Sequence, residues 1–293
     1  MRIPKYYCYW RGNLPPVTEL FFASFLATQQ GEMHVFLDRC EDTGPLRMPY
    51  LRTPRLILHR MDWRRFNPDP VFEGFVANLD TNRWDRRIFR LYCRLYPDAF
   101  ETIPEHGRKC TSRPLRLPFW GRVKQPYPLA VYGDLFRCML CVGNPDDVLY
   151  ADLDVCFLKD FAPLFDARDF VYRWAQQPYA NSAILYSAAN GVLKTAIKDL
   201  VREHDTVLPW YIFRLNQPRL EGLRILPCEW FDPLWTNTAG PAFSDFFEDK
   251  DAASAIGGAY CHHWHNQWTA VPHERSTYTT LLRGFRRMLG ADG

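Results

Sequence analysis

The sequence predicts an α/β protein with a Rossmann-like mixed sheet flanked by helices and a helical, irregular insertion. Three observations predict it. Val148 to Ala151 is a short apolar run that follows the turn-forming Asn144-Pro145-Asp146-Asp147 and leads into Asp152 and Asp154. Such a run reads as a buried central strand. Ile3 to Trp10 reads as a first strand, stopped by Arg11-Gly12-Asn13-Leu14-Pro15-Pro16 and followed by a helix from Glu19 to about Thr28. Pro16 suits the first turn of that helix. Met33 to Leu37 and Leu56 to His59 add two strands at a spacing that fits a βαβ-type half.

The 293 residues are 47% hydrophobic and 24% charged, which suits one globular domain over 1–293 with the insertion at 80–130. A net charge of +3 is too small to argue for nucleic acid. No signal peptide is visible at the N-terminus, and no apolar stretch reaches the ~18 to 20 residues of a membrane span. Nine cysteines, an odd number scattered through expected strands and helices, read as reduced thiols of a cytoplasmic protein. Cys138 and Cys141 form a C-x-x-C, but on a helix and without a second pair, so packing is the expected role.

Asn82 to Tyr96 is an expected helix with Arg83, Arg86, Arg87, Arg90 and Arg94, and with Ile88, Leu91 and Leu95 on its apolar side. A solvated face is the default reading of the arginines. From Pro97 to Pro128 the chain carries six prolines, and Arg108 to Lys124 holds six basic residues, no acid, and Phe119-Trp120. A lid, an acceptor-binding surface and a membrane-surface contact all fit this stretch.

Tyr132 to Cys141 has apolar residues at 132, 135, 136, 139 and 140, the spacing of an amphipathic helix. Asp134 and Arg137 are three apart and share a face, as a structural ion pair or as part of a site. Beyond the loop, Asp152 and Asp154 end a core strand. Buried carboxylates are rarely unpaired, because desolvating the charge costs several kcal/mol. The pair therefore needs a cation, and ligands in open α/β sheets sit at the carboxyl ends of strands. Oxygen ligands of this kind suit Mg²⁺ or Mn²⁺ beside a substrate phosphate. A second triplet, Asp249-Lys250-Asp251, follows no strand and reads as a solvated acidic loop.

Phe170 to Trp174 and Ala183 to Tyr186 are expected strands, and Asn190 to Glu203 a helix. Asn181 closes a turn before the second strand. In Tyr260 to Trp268, alternation puts His263 and His265 on one side and His262 on the other; a standalone zinc site and a share in the Asp152–Asp154 site are both open. Thr279 to Leu289 is a basic amphipathic helix, with Leu281, Leu282, Phe285, Met288 and Leu289 opposite Arg283, Arg286 and Arg287. Packing on the domain and docking on anionic lipid both fit it.

Asp134-Leu135-Phe136-Arg137, the loop, and Tyr150-Ala151-Asp152-Leu153-Asp154 together resemble the core of the D-x-D glycosyltransferases of the GT-A fold. The nearest group is family 32, with its mannosyl- and galactosyltransferases, and the related clostridial glucosylating toxins. Gly133 stands where the family carries serine, and Asn144-Pro145-Asp146-Asp147 replaces most of its glycine turn. The match is good over about residues 131 to 165. The resemblance implies a metal-dependent, retaining transfer from a nucleotide-sugar (a UDP- or GDP-sugar) to a glycan, lipid-linked or protein acceptor. Asp152 and Asp154 would hold Mn²⁺ or Mg²⁺, and Asp134 and Arg137 would fix the donor. Trp10 would stack on the base, with Asn181, Trp264 and Trp268 also on the donor. A His-x-Trp closing over the donor would add a metal ligand, with His262 in front and His265 next. No residue stands out as a nucleophile, which favours front-side substitution. A nucleotidyltransferase or phosphohydrolase using the same aspartates, and a non-catalytic sugar-nucleotide-binding module, are the competing readings.

Overall fold

The computed structural model describes residues 3–67, 69–103, 107–173, 180–214, 217–236 and 242–291. In chain order the strands are β1 (Lys5–Arg11), β2 (Met33–Asp38), β3 (Leu56–Arg60), β4 (Thr102–Ile103), β5 (Gly107–Arg108), β6 (Leu115–Leu117), β7 (Gly121–Val123), β8 (Val148–Ala151), β9 (Val155–Phe157), β10 (Phe170–Arg173), β11 (Ala180–Ser187), β12 (Arg224–Leu226) and β13 (Cys261–His263). The helices are α1 (Glu19–Thr28), α2 (Trp63–Phe66), α3 (Glu73–Asn78), α4 (Arg83–Leu95), α5 (Leu129–Gly143), α6 (Leu193–His204), α7 (Pro233–Thr236), α8 (Ala253–Ile256) and α9 (Thr277–Met288). The expected strands and helices form within a few residues of their expected bounds; Trp174, the expected end of β10, lies outside the described residues. The chain divides into two compact units: 1–61, 146–191 and 222–293, and 62–145 with 192–221; the stretch expected as an insertion, 80–130, lies within the second.

The first unit holds a seven-stranded mixed sheet in the order β12-β10-β11-β8-β1-β2-β3. β1, β2, β3 and β8 are parallel, and β11 runs antiparallel to β8 and β10. The chain leaves β1 toward β2 and β3 on one side and returns as β8 on the other. That reversal is a topological switch point, and ligands in open α/β sheets bind outside the carboxyl ends of the strands there. β8 is buried along its whole length, as a continuous apolar run in a central strand requires. Gly12, at φ +94°, turns the chain out of β1 in a conformation that costs glycine least; its N–H donates to Asp38 O.

Eight of the ten residues of α1 are buried. Phe21 and Phe25 pack on Phe157 of β9 at ring separations of 5.5 and 5.8 Å. Ser24 Oγ accepts from Phe157 N at 3.0 Å, so an edge amide that would otherwise be orphaned is satisfied. α9 closes the other side of α1. Tyr278, Leu282 and Phe285 are buried, Arg286 Nε donates to Glu19 at 2.8 Å, and Tyr278 Oη donates to Val17 O at 3.1 Å. Of the apolar stripe of α9, Leu282 and Phe285 are thus buried against the domain, while Met288 is exposed.

In the second unit, α5 packs on α6, Phe66 stacks on Phe136 at 4.7 Å, and Asn67 Nδ2 donates to Met139 O at 2.7 Å. α4 begins with a capping box between Asn82 and Asp85, which satisfies two of the free amides of its first turn. Lys124 N also donates to Asp85 Oδ1 at 3.1 Å. The β6–β7 hairpin is therefore fastened to the first turn of α4.

Candidate metal centre

The site grows from the end of β8. Tyr150 and Asp152 are two apart and share a face, and Tyr150 Oη donates to Asp152 Oδ1 at 2.5 Å. Asp152 N donates to Ala183 O at 2.8 Å, which continues the antiparallel β8–β11 ladder one residue past Ala151 and Ile184; on its other side β11 bulges against β10, where Tyr172 pairs with Asn181 and Val171 with Leu185. Asn181 Oδ1 accepts from Ala183 N at 2.8 Å. Asn181 thus does turn chemistry, inside the strand bulge rather than before the strand.

Asp154 is only 2% exposed. The short antiparallel pair β9–β13 sets His263 opposite Val155, the residue after Asp154, and Trp264 N donates to Asp154 O at 2.9 Å. His263 Nε2 lies 3.3 Å from Asp154 Oδ2. His265 and Asn266 both adopt left-handed backbone, φ +50° and +61°, which turns Asn266 N onto Asp154 Oδ2 at 2.8 Å. Asp154 Oδ1 is buried and has no hydrogen-bond partner among the described residues.

Behind His263 lies a second layer. Tyr172 Oη is 2.9 Å from His263 Nδ1, Asp232 Oδ2 is 3.9 Å from the same atom, and His265 Nε2 is 2.5 Å from Asp232 Oδ2. The His263 and His265 rings stack at 4.0 Å, and Trp235 covers His265 at 4.3 Å. Burial pulls the His263 pKa down, but the Asp154 carboxylate and its hydrogen bond outweigh it and push the pKa up to about 9. Burial acts upward on Asp154, yet the charge of His263 and the bonds from His263 and Asn266 hold it below the usual carboxylate range. His265 is lowered by burial and by the charge of His263.

Two sets of ligand atoms lie mutually within 4.8 Å: Asp152, Asp154 and His263, and Asp232, His263 and His265. The first fits a divalent cation. It offers two carboxylates and one imidazole at a switch point, and a buried carboxylate oxygen that lacks any other partner. Such an oxygen is costly to desolvate without a cation or donor.

Of the expected site residues, Asp152 and Asp154 come together as expected. His262 does not join them. It is one residue out of phase with His263, so its ring points to the other side of β13, 4.5 Å from Phe246. Burial holds it well below the usual histidine range, and neither ring nitrogen has a hydrogen-bond partner among the described residues. Trp264 lies in the core: it is fully buried, parallel to Phe246 at 6.1 Å and edge-on to Phe247 and Tyr278. Trp10 and Trp268 meet edge to face at 4.6 Å. Trp268 Nε1 donates to Asn266 Oδ1 at 3.0 Å, which ties the pair to the turn that holds Asp154. Asp134 and Arg137 belong to α5 of the other unit and form the i,i+3 ion pair at 3.1 Å; Asp134 is nearly buried. Asp249-Lys250-Asp251 is exposed; Asp249 pairs with Arg275, and Asp251 caps Ala253 N at 3.0 Å.

Sequence reasoning missed Asp232 and Tyr172. Asp232 precedes Pro233, a pattern that reads as a helix start, and Tyr172 sits in an apolar strand; only the fold brings them to His263.

No family model matches the chain, and no curated protein matches it in sequence. Among solved structures, it is similar to the galactosyltransferase LgtC in complex with donor and acceptor sugar analogs: 14% identity and a TM-score of 0.42, over 98% of this chain and 95% of that one. It is also similar to the glycosyltransferase GlyE of Streptococcus pneumoniae TIGR4, at 13% identity and a TM-score of 0.44, over 99% of this chain and 63% of that one. Mouse xyloside xylosyltransferase 1 gives 11% identity and a TM-score of 0.40, over 92% of this chain and all (100%) of that one.

Proposed function

We propose that this chain is a metal-dependent glycosyltransferase moving a sugar from a nucleotide-sugar to a hydroxyl of a glycan, lipid-linked or protein acceptor. The observation that carries the reading is the buried Asp154, which keeps one oxygen bare at a switch point with Asp152 and His263 beside it. The sequence pattern around it is that of the D-x-D enzymes. Asp152, Asp154 and His263 would hold the cation, and the imidazole in this set suits Mn²⁺ better than Mg²⁺. When bound, such an ion neutralises the diphosphate of the donor as it leaves.

The chain's own residues do the rest. Tyr172 and Asp232 orient the His263 ring, as outer partners of a metal-bound histidine do. Trp10, braced by Trp268, offers an aromatic face to the nucleotide base. Asn181 bonds Ala183 N, whose carbonyl holds Asp152 N, and is proposed as a positioning residue. Asp134 and Arg137 are proposed as donor-binding residues on the sequence pattern alone. Transfer with retention, by front-side substitution, is the proposed course, in a cytoplasmic setting that nine free thiols suit.

A panel of UDP- and GDP-sugars with Mn²⁺ tests the reading, scored by thermal shift and by slow donor hydrolysis. At least one nucleotide-sugar is expected to raise the melting temperature only when Mn²⁺ is present and to release free sugar with retained configuration. If none binds, while a nucleoside triphosphate is bound and turned over, the nucleotidyltransferase reading replaces it.

A further inference from the structure

The positive charge of the chain is concentrated. Residues 83–124 carry eleven Lys and Arg against four Asp and Glu, in a protein whose net charge is only +3. The exposed apolar side chains are concentrated in the same stretch of sequence: half of the described large hydrophobic residues that are exposed fall between 84 and 129. Scattered apolar residues on a surface need no explanation, but exposed apolar residues set beside unpaired cations on the same element do.

α4 shows the pattern along its length. Asp85 and Phe89 face the unit's interior. Trp84, Leu91 and Leu95, at 64%, 52% and 64% exposure, fall within about 40° of one another around the helix at 100° per residue. Arg83, Arg87, Arg90 and Arg94 form the adjoining stripe. The helix thus has a buried face, an exposed apolar stripe and an exposed cationic stripe, the arrangement of a helix that lies in a membrane interface.

The hairpin repeats it. Its tip is Pro118-Phe119-Trp120, with Phe119 94% and Trp120 56% exposed. Just below the tip, Arg116 stands directly opposite Arg122 in the β6–β7 register, and both are exposed. Like charges in that position repel. None of Arg83, Arg87, Arg90, Arg94, Arg116 and Arg122 has a salt bridge among the described residues. Aromatic tips above paired arginines match the depth profile of a bilayer surface, with rings at the headgroup level and cations at the phosphates. The Lys124–Asp85 hydrogen bond joins hairpin and helix into one piece.

We propose that α4 and the β6–β7 hairpin dock the second unit on an anionic lipid bilayer. Charge complementarity selects phosphate-bearing headgroups, and the aromatic and leucine side chains supply apolar area that enters lipid but has no counterpart on a nucleic-acid backbone. The inference goes beyond sugar transfer and is read without catalysis, so either can fail alone.

The test is co-sedimentation of the full chain with vesicles of phosphatidylcholine alone or with about a third phosphatidylglycerol. The chain is expected to sediment with the anionic vesicles and not with the neutral ones, and salt is expected to weaken binding. Arg116→Glu with Arg122→Glu, and separately Phe119→Ser with Trp120→Ser, are each expected to lower partitioning by about tenfold or more. Both variants alter an exposed hairpin, and an unchanged melting temperature verifies their folding. Equal binding to neutral vesicles, wild-type binding by the variants, no vesicle binding, or capture of single-stranded RNA in place of vesicles would overturn the proposal.

Discussion

Asp154 and His263 form a buried pair, Oδ2 to Nε2 at 3.3 Å, and their titrations make a prediction. A folded pKa of about 9 for His263, against about 6.5 in an unfolded chain, contributes stability that is complete below about pH 6.5. It is lost as pH rises through about 9. Asp154 acts the opposite way: its contribution is present above about pH 4 and fades as pH falls through its depressed value. Chelator-treated protein should therefore melt lower as pH rises from 7 toward 9.5. Its Mn²⁺ affinity should rise about tenfold per pH unit from 7 toward about 9 and then level off, because one proton must leave His263 first. A pH-independent affinity from calorimetry would remove His263 from the ligand set. His262 gives the complementary test. His262→Phe exchanges for carbon two ring nitrogens that have no hydrogen-bond partner among the described residues, so metal affinity should stay and the melting temperature should hold or rise. The sequence showed that His262 and His263 face opposite ways, yet not which one faces Asp154. That depends on the register of β13 on β9, strands about a hundred residues apart.

At the scale of elements, the β13 turn holds Asp154 through two consecutive left-handed residues. Asparagine tolerates that conformation and β-branched residues do not. Asn266→Val should cost about 1–2 kcal/mol in denaturant melts and weaken metal binding as well, whereas Asn266→Gly should keep the turn. Equal stability of the two variants would show that the turn is not strained. On α5, Asp134→Ala separates the donor-binding proposal from a purely structural ion pair. Turnover should fall far more than melting temperature; normal kinetics in a destabilised protein would assign the Asp134–Arg137 pair to packing alone. The regular elements were legible because their signals are local: apolar runs in β1, β2, β3 and β8, the arginine-marked α4, the stripe of α9. The Trp264 expectation came from resemblance instead. Its burial against Phe246, Phe247 and Tyr278 follows from packing between segments that no local pattern connects.

Across the whole molecule, the second unit was legible only in part: the basic, proline-rich stretch at 80–130 falls inside it, but its assembly from 62–145 and 192–221 joins segments that no local pattern connects. The charge asymmetry was visible as a basic run, but its meaning needed the burial pattern that leaves Trp84, Phe119 and Trp120 outside. Among the described residues, no helix is long and apolar enough to cross a membrane. The central claim is that one cation, held by Asp152, Asp154 and His263, is required for the donor to bind. Calorimetric titration of a nucleotide-sugar that binds the Mn²⁺-loaded chain, repeated after EDTA and on Asp154→Asn and His263→Ala, tests it most directly. The account predicts one Mn²⁺ per chain in the wild type, and loss of most donor affinity in EDTA and in both variants while each stays folded. Donor affinity that survives EDTA, or tightly bound zinc that is indifferent to Asp154→Asn, would contradict it.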